Sequence, residues 1–193
     1  MPKVETFNKE TVLSQAIHVF HNKGYNATSM QDLVDATGLN RSSIYNSFGS
    51  KQDLFLECLK MYQNEAKTAL SNIIVKCDCS LRAIENIFSL YYNDISNDKD
   101  RKGCLISNCT AELANQEPLI KTFLNTNQDN MLALLEDLIT KAQTNKSINT
   151  KKTAREYALY LFTTLQGYRL TGILLNDKTQ LRSIVDTTLQ NLK

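Results

Sequence analysis

Two groups of residues in this chain have the types and spacing to do chemistry. The first lies in LNRSSIYNSFGSKQDL, positions 39–54, where Arg41, Ser42, Ser43, Tyr45, Asn46 and Lys51 crowd into a dozen positions. An arginine reaches guanine N7 and O6 in bidentate fashion, or a phosphate, and an asparagine pairs with adenine in the same way. A tyrosine hydroxyl reaches a phosphate oxygen. Serines are short enough to let a backbone approach base edges. Thr28 and Ser29, at the start of an earlier helix, add hydroxyls and free N–H groups that attract phosphate, as does the helix start at Lys51.

The second group is RKGCLISNCTAELA, positions 101–114. Cys104, Asn108 and Glu112 are spaced i, i+4, i+8 and line one face of a helix. A helix N-terminus and the adjacent Arg101 and Lys102 favour a thiolate, which makes Cys104 a candidate for oxidation or attack on electrophiles. The plainer reading is a buried cysteine acting as a small hydrophobe. Glu112 in an apolar helix needs a partner: Arg169, a tyrosine or a cationic ligand. Tyr91, Phe123, Tyr160 and Phe162 are further candidates for lining an effector pocket, with Asn108 and Glu112 as polar anchors.

Other chemistries lack their residues. Cys77-x-Cys79 has no second pair at zinc spacing, and His18 and His21, i and i+3, are two ligands without a third. No metal and no cofactor are expected. There is no Gly-rich phosphate loop, no HExxH, no G-x-S-x-G and no plausible triad, so the chain does not read as an enzyme.

The elements that position these residues are helices. Two prolines and six glycines in 193 residues, with no strand-like alternation, point to an all-α fold. The stripe Leu13, Ala16, Ile17, Phe20 marks a first helix over 8–23 closed by Gly24. Ser29-x-x-Asp32 opens a second, broken by Gly38. Asn40 caps a third that runs to about Ser47, and Gly49 closes it. Ser50-x-x-Asp53 opens a fourth that reaches about Val75. Helices then follow near 80–96, 103–115, 118–144, 151–175 and 178–192, with Pro118 in a first turn. Two short helices joined by ATGLN after a longer one form a helix-turn-helix, with Ile44 and Phe48 on the buried side and the polar side chains facing out.

Residues 8–55 resemble the N-terminal domain of TetR-family transcriptional regulators. The resemblance rests on Ala16, Phe20, Gly24, Tyr25, Thr28, Ala36, Gly38, Tyr45, Phe48, Lys51 and Leu54. It implies an all-α homodimer with an N-terminal three-helix DNA-binding domain and a larger helical effector-binding and dimerisation domain; the boundary, placed at the fourth helix, gives 1–52 and 53–193. It further implies a near-palindromic double-stranded DNA operator and release when a small molecule of unknown identity enters the C-terminal domain. In such proteins the last two long helices pair with their copies. Leu161, Leu165, Tyr168, Leu181, Ile184, Val185 and Leu189 are the candidates here, set against the alternative that they face the monomer's own core. Some similar regulators with Gly-Cys at this place respond to oxidants or electrophiles.

One departure bears on mechanism. Residues 1–60 hold six Lys and Arg against six Asp and Glu, so the DNA-binding head carries no net charge, and the whole chain carries only +2. Neutral donors then take a larger share of the grip on DNA. MPKVETFNKE has no apolar h-region, no apolar run is long enough for a membrane, and five cysteines are an odd number; a cytoplasmic protein with reduced thiols and no membrane partner is expected. The leading reading is a repressor released by a small molecule. The alternatives are a thiol-sensing repressor acting through Cys104 and a helical oligomer that does not bind DNA.

Overall fold

The computed structural model describes residues 7–193. Among them are nine helices and no strand: α1 (Lys9–Lys23), α2 (Met30–Thr37), α3 (Arg41–Phe48), α4 (Lys51–Val75), α5 (Ser80–Asn97), α6 (Leu105–Leu113), α7 (Pro118–Thr144), α8 (Ala154–Leu174) and α9 (Lys178–Gln190). The all-α expectation holds, with a helix-turn-helix head and a larger helical body.

Local chemistry sets the helix starts. Ser29 and Ser50 accept from the N–H groups of Asp32 and Asp53, whose carboxylates accept in return from the Ser29 and Ser50 N–H groups. Each is a full capping box with aspartate in place of glutamate. Asn40 Oδ1 accepts from Ser43 N at 2.8 Å and fixes the start of α3. A cap of this kind contributes about 1 kcal/mol, which matters most for eight-residue helices that cannot persist alone.

Burial then divides the molecule into two clusters. The first joins α1–α3 and the opening turns of α4 to α6 and the start of α7: Phe20, Leu33, Ile44, Leu54, Phe55 and Leu59 meet Leu105, Leu113 and Ile120. Phe20 and Phe55 pack edge to face at 4.7 Å between centroids. The second lies in the body, where Ile84, Ile87 and Phe88 of α5 pack on Leu132, Leu135 and Ile139 of α7, with Leu161 and Leu165 of α8 and Leu181 and Val185 of α9. Helix α4 serves both, through Leu54 to Leu59 at one end and Leu70 at the other. Its 25 residues make a rod of about 38 Å at 1.5 Å per residue.

The body helices correct the expected dimer residues. Leu161, Leu165, Tyr168, Leu181 and Val185 are each at most 2% exposed, and Ile184 and Leu189 pack partly buried against the same cluster. The first five hold the monomer together, while Ile184 and Leu189 stay part-exposed on α9. The stripe that α8 leaves outside is Leu159, Thr163, Gly167, Leu170 and Leu174, all exposed and spaced by three or four residues. Leu174 is 86% exposed. The two glycines of this helix part company: a Cβ at Gly172 would lie 2.4 Å from Ile95 Cγ2, so that glycine sets the close approach of α8 to α5, whereas Gly167 faces open space.

Candidate nucleic-acid interface and effector cavity

Helix α3 is eight residues and so about 12 Å long, close to the width of a major groove. Ile44 and Phe48, one turn apart, seat it on the head core at 1% and 8% exposure. Arg41, Ser42, Tyr45 and Asn46 are exposed and Ser43 is half-buried. A large aromatic left 45% exposed, as Tyr45 is, stands out against the buried Ile44 beside it. Gly38 turns α2 into α3 with φ +68° and nothing near its Cβ position, so the left-handed backbone alone selects glycine there.

Two expected phosphate contacts are changed by the fold. Thr28 is buried, and its hydroxyl donates to Gly24 O at 2.6 Å, so it braces the turn after α1 and does not face outward. Ser29 is exposed, but its hydroxyl is held in the capping box by Asp32. Lys51 is half-buried with its Nζ 4.4 Å from the centre of the Tyr25 ring, and burial lowers its pKa against the pull of Glu112 and Asp32. Of the other described head lysines, Lys23 pairs with Asp32 at 2.6 Å, and Lys9 and Lys60 both pair with Glu57. Lys23 and the Ser29 groups hold the Asp32 carboxyl down at about 2. Arg41 and Lys51 are thus the described head cations without an ion pair.

Behind the head lie two adjoining, partly open cavities. One, of about 110 Å³, lies between α4, α7 and α8 and is lined by Tyr62, Leu70, Ile106, Met131, Leu134 and Phe162 together with Gln63, Asn127 and Gln166. The other, of about 300 Å³, is bounded by His21, Asp94, Asp98, Lys102 and Gly103. Tyr62, Tyr91, Cys104 and Arg169 belong to both walls. Burial, with the Cys104 thiol next, pushes the Tyr62 phenol up, and burial likewise raises Tyr91.

Among the expected effector residues, Cys104, Tyr91 and Phe162 line these cavities. The other four line neither. Phe123 packs against the head cluster. Tyr160 sits on the outer side of α8 and accepts from Asn191 Nδ2 at 2.9 Å. Asn108 turns back to donate to Lys102 O at 2.7 Å. Glu112 accepts from the backbone N–H groups of Tyr25 and Asn26 at 3.0 and 2.7 Å, so the partner it needs is the turn between α1 and α2. Cys104 is the N-cap of α6, one residue outside the helix. The two ends of α6 thus serve different purposes, one at the cavity and the other at the head.

That division makes α6 a physical link. Just before it, Gly103 O meets His21 Nε2 of α1 at 3.1 Å, and two turns later Glu112 grips the α1–α2 turn. Gly24, at φ +78° and ψ 170°, suits glycine by its backbone, and a Cβ there would stand 3.0 Å from Glu112 Oε2, so a larger residue would push the carboxylate aside by a few tenths of an ångström. Burial lowers the His21 pKa despite the Gly103 carbonyl. His21 therefore belongs to this contact, while His18 is exposed. Among the described residues no cluster of three or more His, Cys, Asp or Glu is placed to hold a metal.

Residues 12–58 match a family model described as bacterial regulatory proteins of the tetR family, and residues 80–188 match the tetracyclin repressor-like C-terminal domain. The chain belongs to the TetR family. Among curated relatives, it is 33% identical over 118 residues to YezE of Bacillus subtilis, an uncharacterized HTH-type transcriptional regulator, covering 61% of each chain. It is 33% identical over 114 residues to the HTH-type transcriptional repressor ComR of Escherichia coli, covering 56% of this chain and 52% of that one. The match thus spans about half to three-fifths of those relatives' length. Among solved structures, a cysteine-substituted TetR-family regulator CifR complexed with 26-bp double-strand operator DNA superposes with a TM-score of 0.87 at 19% identity, over 99% of this chain and 100% of that one. Reduced NemR of E. coli gives 0.86 at 16% identity, over 95% and 96%. At such identities these two carry the fold alone.

For a TetR-family chain, the informative part is what lies between the two matched segments. Residues 59–79 fall in neither, and they include Tyr62, Gln63 and Leu70 of the cavity wall. Tyr62 reads from sequence as one more apolar position of α4. The sequence considers Arg169 only as a partner for Glu112. Nothing in the spacing of either one reveals that α4, α5, α6 and α8 converge on one space. Among the described residues no helix is long and apolar enough to cross a membrane.

Proposed function

We propose that this chain is a sequence-specific DNA-binding transcriptional regulator, a homodimeric repressor that leaves a near-palindromic operator when a small molecule occupies the body cavity. Residues 1–52 serve DNA binding and 53–193 serve effector binding and dimerisation. The observation that carries this reading is α3, whose Ile44 and Phe48 are buried while Arg41, Ser42, Tyr45 and Asn46 are offered together on a groove-width surface. Relatives named as repressors, and the operator DNA bound by CifR, support it. The exposed α8 stripe through Leu170 and Leu174 supplies the dimer face, which fixes the spacing of the two heads. Release follows if a ligand prefers the body with α6 displaced, because α6 holds the head through His21 and Glu112.

The test is a footprint on the DNA upstream of the chain's own gene. Protection of two half-sites related by a two-fold axis is expected, and Tyr45→Ala is expected to weaken it while the circular dichroism stays unchanged. Failure to bind that fragment or any genomic fragment in a selection from random sequence overturns the reading in favour of a helical oligomer without DNA binding.

A second trigger rests on Cys104. It is set in both cavity walls beside Tyr62 and Arg169. Operator release by N-ethylmaleimide that is lost in Cys104→Ser favours thiol sensing; full release in that variant ends it.

A further inference from the structure

Arg169 lacks the partner that a guanidinium in its position requires. It is largely buried, and it remains charged at any pH the protein meets. Among the described residues no carboxylate pairs with it. Among the described residues its one hydrogen bond, Nη1 to Gln166 Oε1, is long at 3.5 Å. What supports the group is the face of Tyr91, with Cζ 4.2 Å from the ring centre. A ring face steadies a cation but leaves its N–H donors unused. Burying a charge is costly unless it is both paired and hydrogen-bonded.

The surroundings sharpen the sign. The charged residues lining the cavity between α4, α7 and α8 are Lys67 and Arg169, with no Asp or Glu among the lining. The adjoining cavity, which Arg169 also lines, carries Asp94, Asp98 and Asp100 beside His21 and Lys102. Among the described residues none of these aspartates comes within ion-pair distance of Arg169. Beside Arg169 lie neutral amides, Gln63, Asn127 and Gln166, and then the apolar Met131, Leu134 and Phe162. Glu112, the residue whose charge would have suited a cationic ligand, is spent on the head.

We propose that the effector of this regulator is a small amphipathic organic anion, a carboxylate with an apolar tail, whose charged end is taken by Arg169 and whose tail lies against Met131, Leu134 and Phe162. This rests on the reading of the body as an effector domain. Arg169 makes the choice between an anion and its neutral analogue, because only the anion gives the guanidinium a charge-assisted pair of hydrogen bonds. Lys67, exposed at the cavity, draws the anion in from solvent.

The experiment uses the full chain without DNA, so that it stands apart from operator binding. Butanoate, hexanoate, octanoate and benzoate, each beside its primary amide, are added at up to 10 mM and Tm is followed. At least one carboxylate is expected to raise Tm by about 5–10 °C near saturation, its amide by less than about 1 °C. Arg169→Gln is expected to abolish the rise. Arg169→Lys keeps the charge, guards against loss of folding in the glutamine variant, and is expected to weaken binding at least tenfold. The bound carboxylate is also expected to slow alkylation of Cys104 by N-ethylmaleimide. The proposal is overturned if no carboxylate raises Tm, if the amides act equally, or if Arg169→Lys binds as tightly as the parent. It is also overturned if carboxylates do nothing while Arg169→Gln slows Cys104 alkylation, for then Arg169 acts on the Cys104 sulfur and not on a ligand. A chain that binds carboxylates but no operator loses the regulator reading and keeps the anion site at Arg169; binding of an operator without carboxylates does the reverse.

Discussion

The head's paired charges set how DNA binding must respond to salt. Lys9, Lys23 and Lys60 are each engaged by Glu57 or Asp32, which leaves Arg41 and Lys51 as the described head cations without an ion pair. Two per head in a dimer make four phosphate neutralisations, and at about −0.9 per contact the slope of log K against log salt is about −3.6. From 50 to 200 mM salt, a fourfold change, affinity then falls about 150-fold, against about 10³–10⁵ for a protein making six to ten such contacts. Fluorescence anisotropy of a labelled operator fragment across that range measures the slope. Lys51→Gln removes one contact from each head and brings the slope to about −1.8. Tyr45→Phe removes a neutral donor; it lowers affinity at every salt concentration and leaves the slope alone. Lys3 lies outside the described residues, and its recruitment in both heads extends the slope only to about −5.4. A slope steeper than about −6 refutes the reasoning, because the ion-paired lysines would then have to be released to the DNA.

Three other outcomes follow from contacts already described. Glu112→Ala leaves the Tyr25 and Asn26 N–H groups without their charged acceptor and is expected to cost about 1–3 kcal/mol, with Glu112→Gln milder; an unchanged urea midpoint for the alanine variant rules out α6 as a brace of the head. Burial holds the His21 pKa below its ordinary 6.5, so a proton favours the unfolded chain; the stability this contact contributes is present above pH 6.5 and is lost as pH falls through and below it. Tm is therefore expected to drop more between pH 7.5 and 5.5 in the parent than in His21→Gln, and equal drops would show that the ring is not desolvated. Leu170→Glu with Leu174→Glu is expected to give folded monomers in sedimentation velocity, whereas Leu165→Ala, inside the body core, is expected to cost about 2–5 kcal/mol without changing assembly.

How far the sequence reached differs between head and body for a physical reason. Helix starts depend on contacts three residues apart, so Ser29 with Asp32, Ser50 with Asp53, and Asn40 were legible from local chemistry, as was Gly38 in its left-handed turn. The helix-turn-helix is itself built from neighbours in the chain, so Ile44 and Phe48 inside and Tyr45 and Asn46 outside followed from periodicity. Thr28 escaped because its acceptor, Gly24 O, is a backbone atom in a turn whose shape periodicity does not describe.

In the body, helix α8 carries two apolar stripes, and periodicity marks both without saying which neighbour covers which. Leu161, Leu165 and Tyr168 looked like an interface and are core; Leu159, Leu170 and Leu174 are the face left open. Cys104, Asn108 and Glu112 share a helical face by spacing, yet residues nearly a hundred positions away decide that Glu112 meets the Tyr25 and Asn26 backbone and Cys104 meets the cavity. The sequence alone thus determined the helices, their caps and the polar outer side of α3, all set by interactions within a few residues. Only the tertiary structure decided the partners of Glu112, the open stripe of α8 and the isolation of Arg169, because each depends on which distant helices exclude water from a side chain and which leave it without a counter-charge.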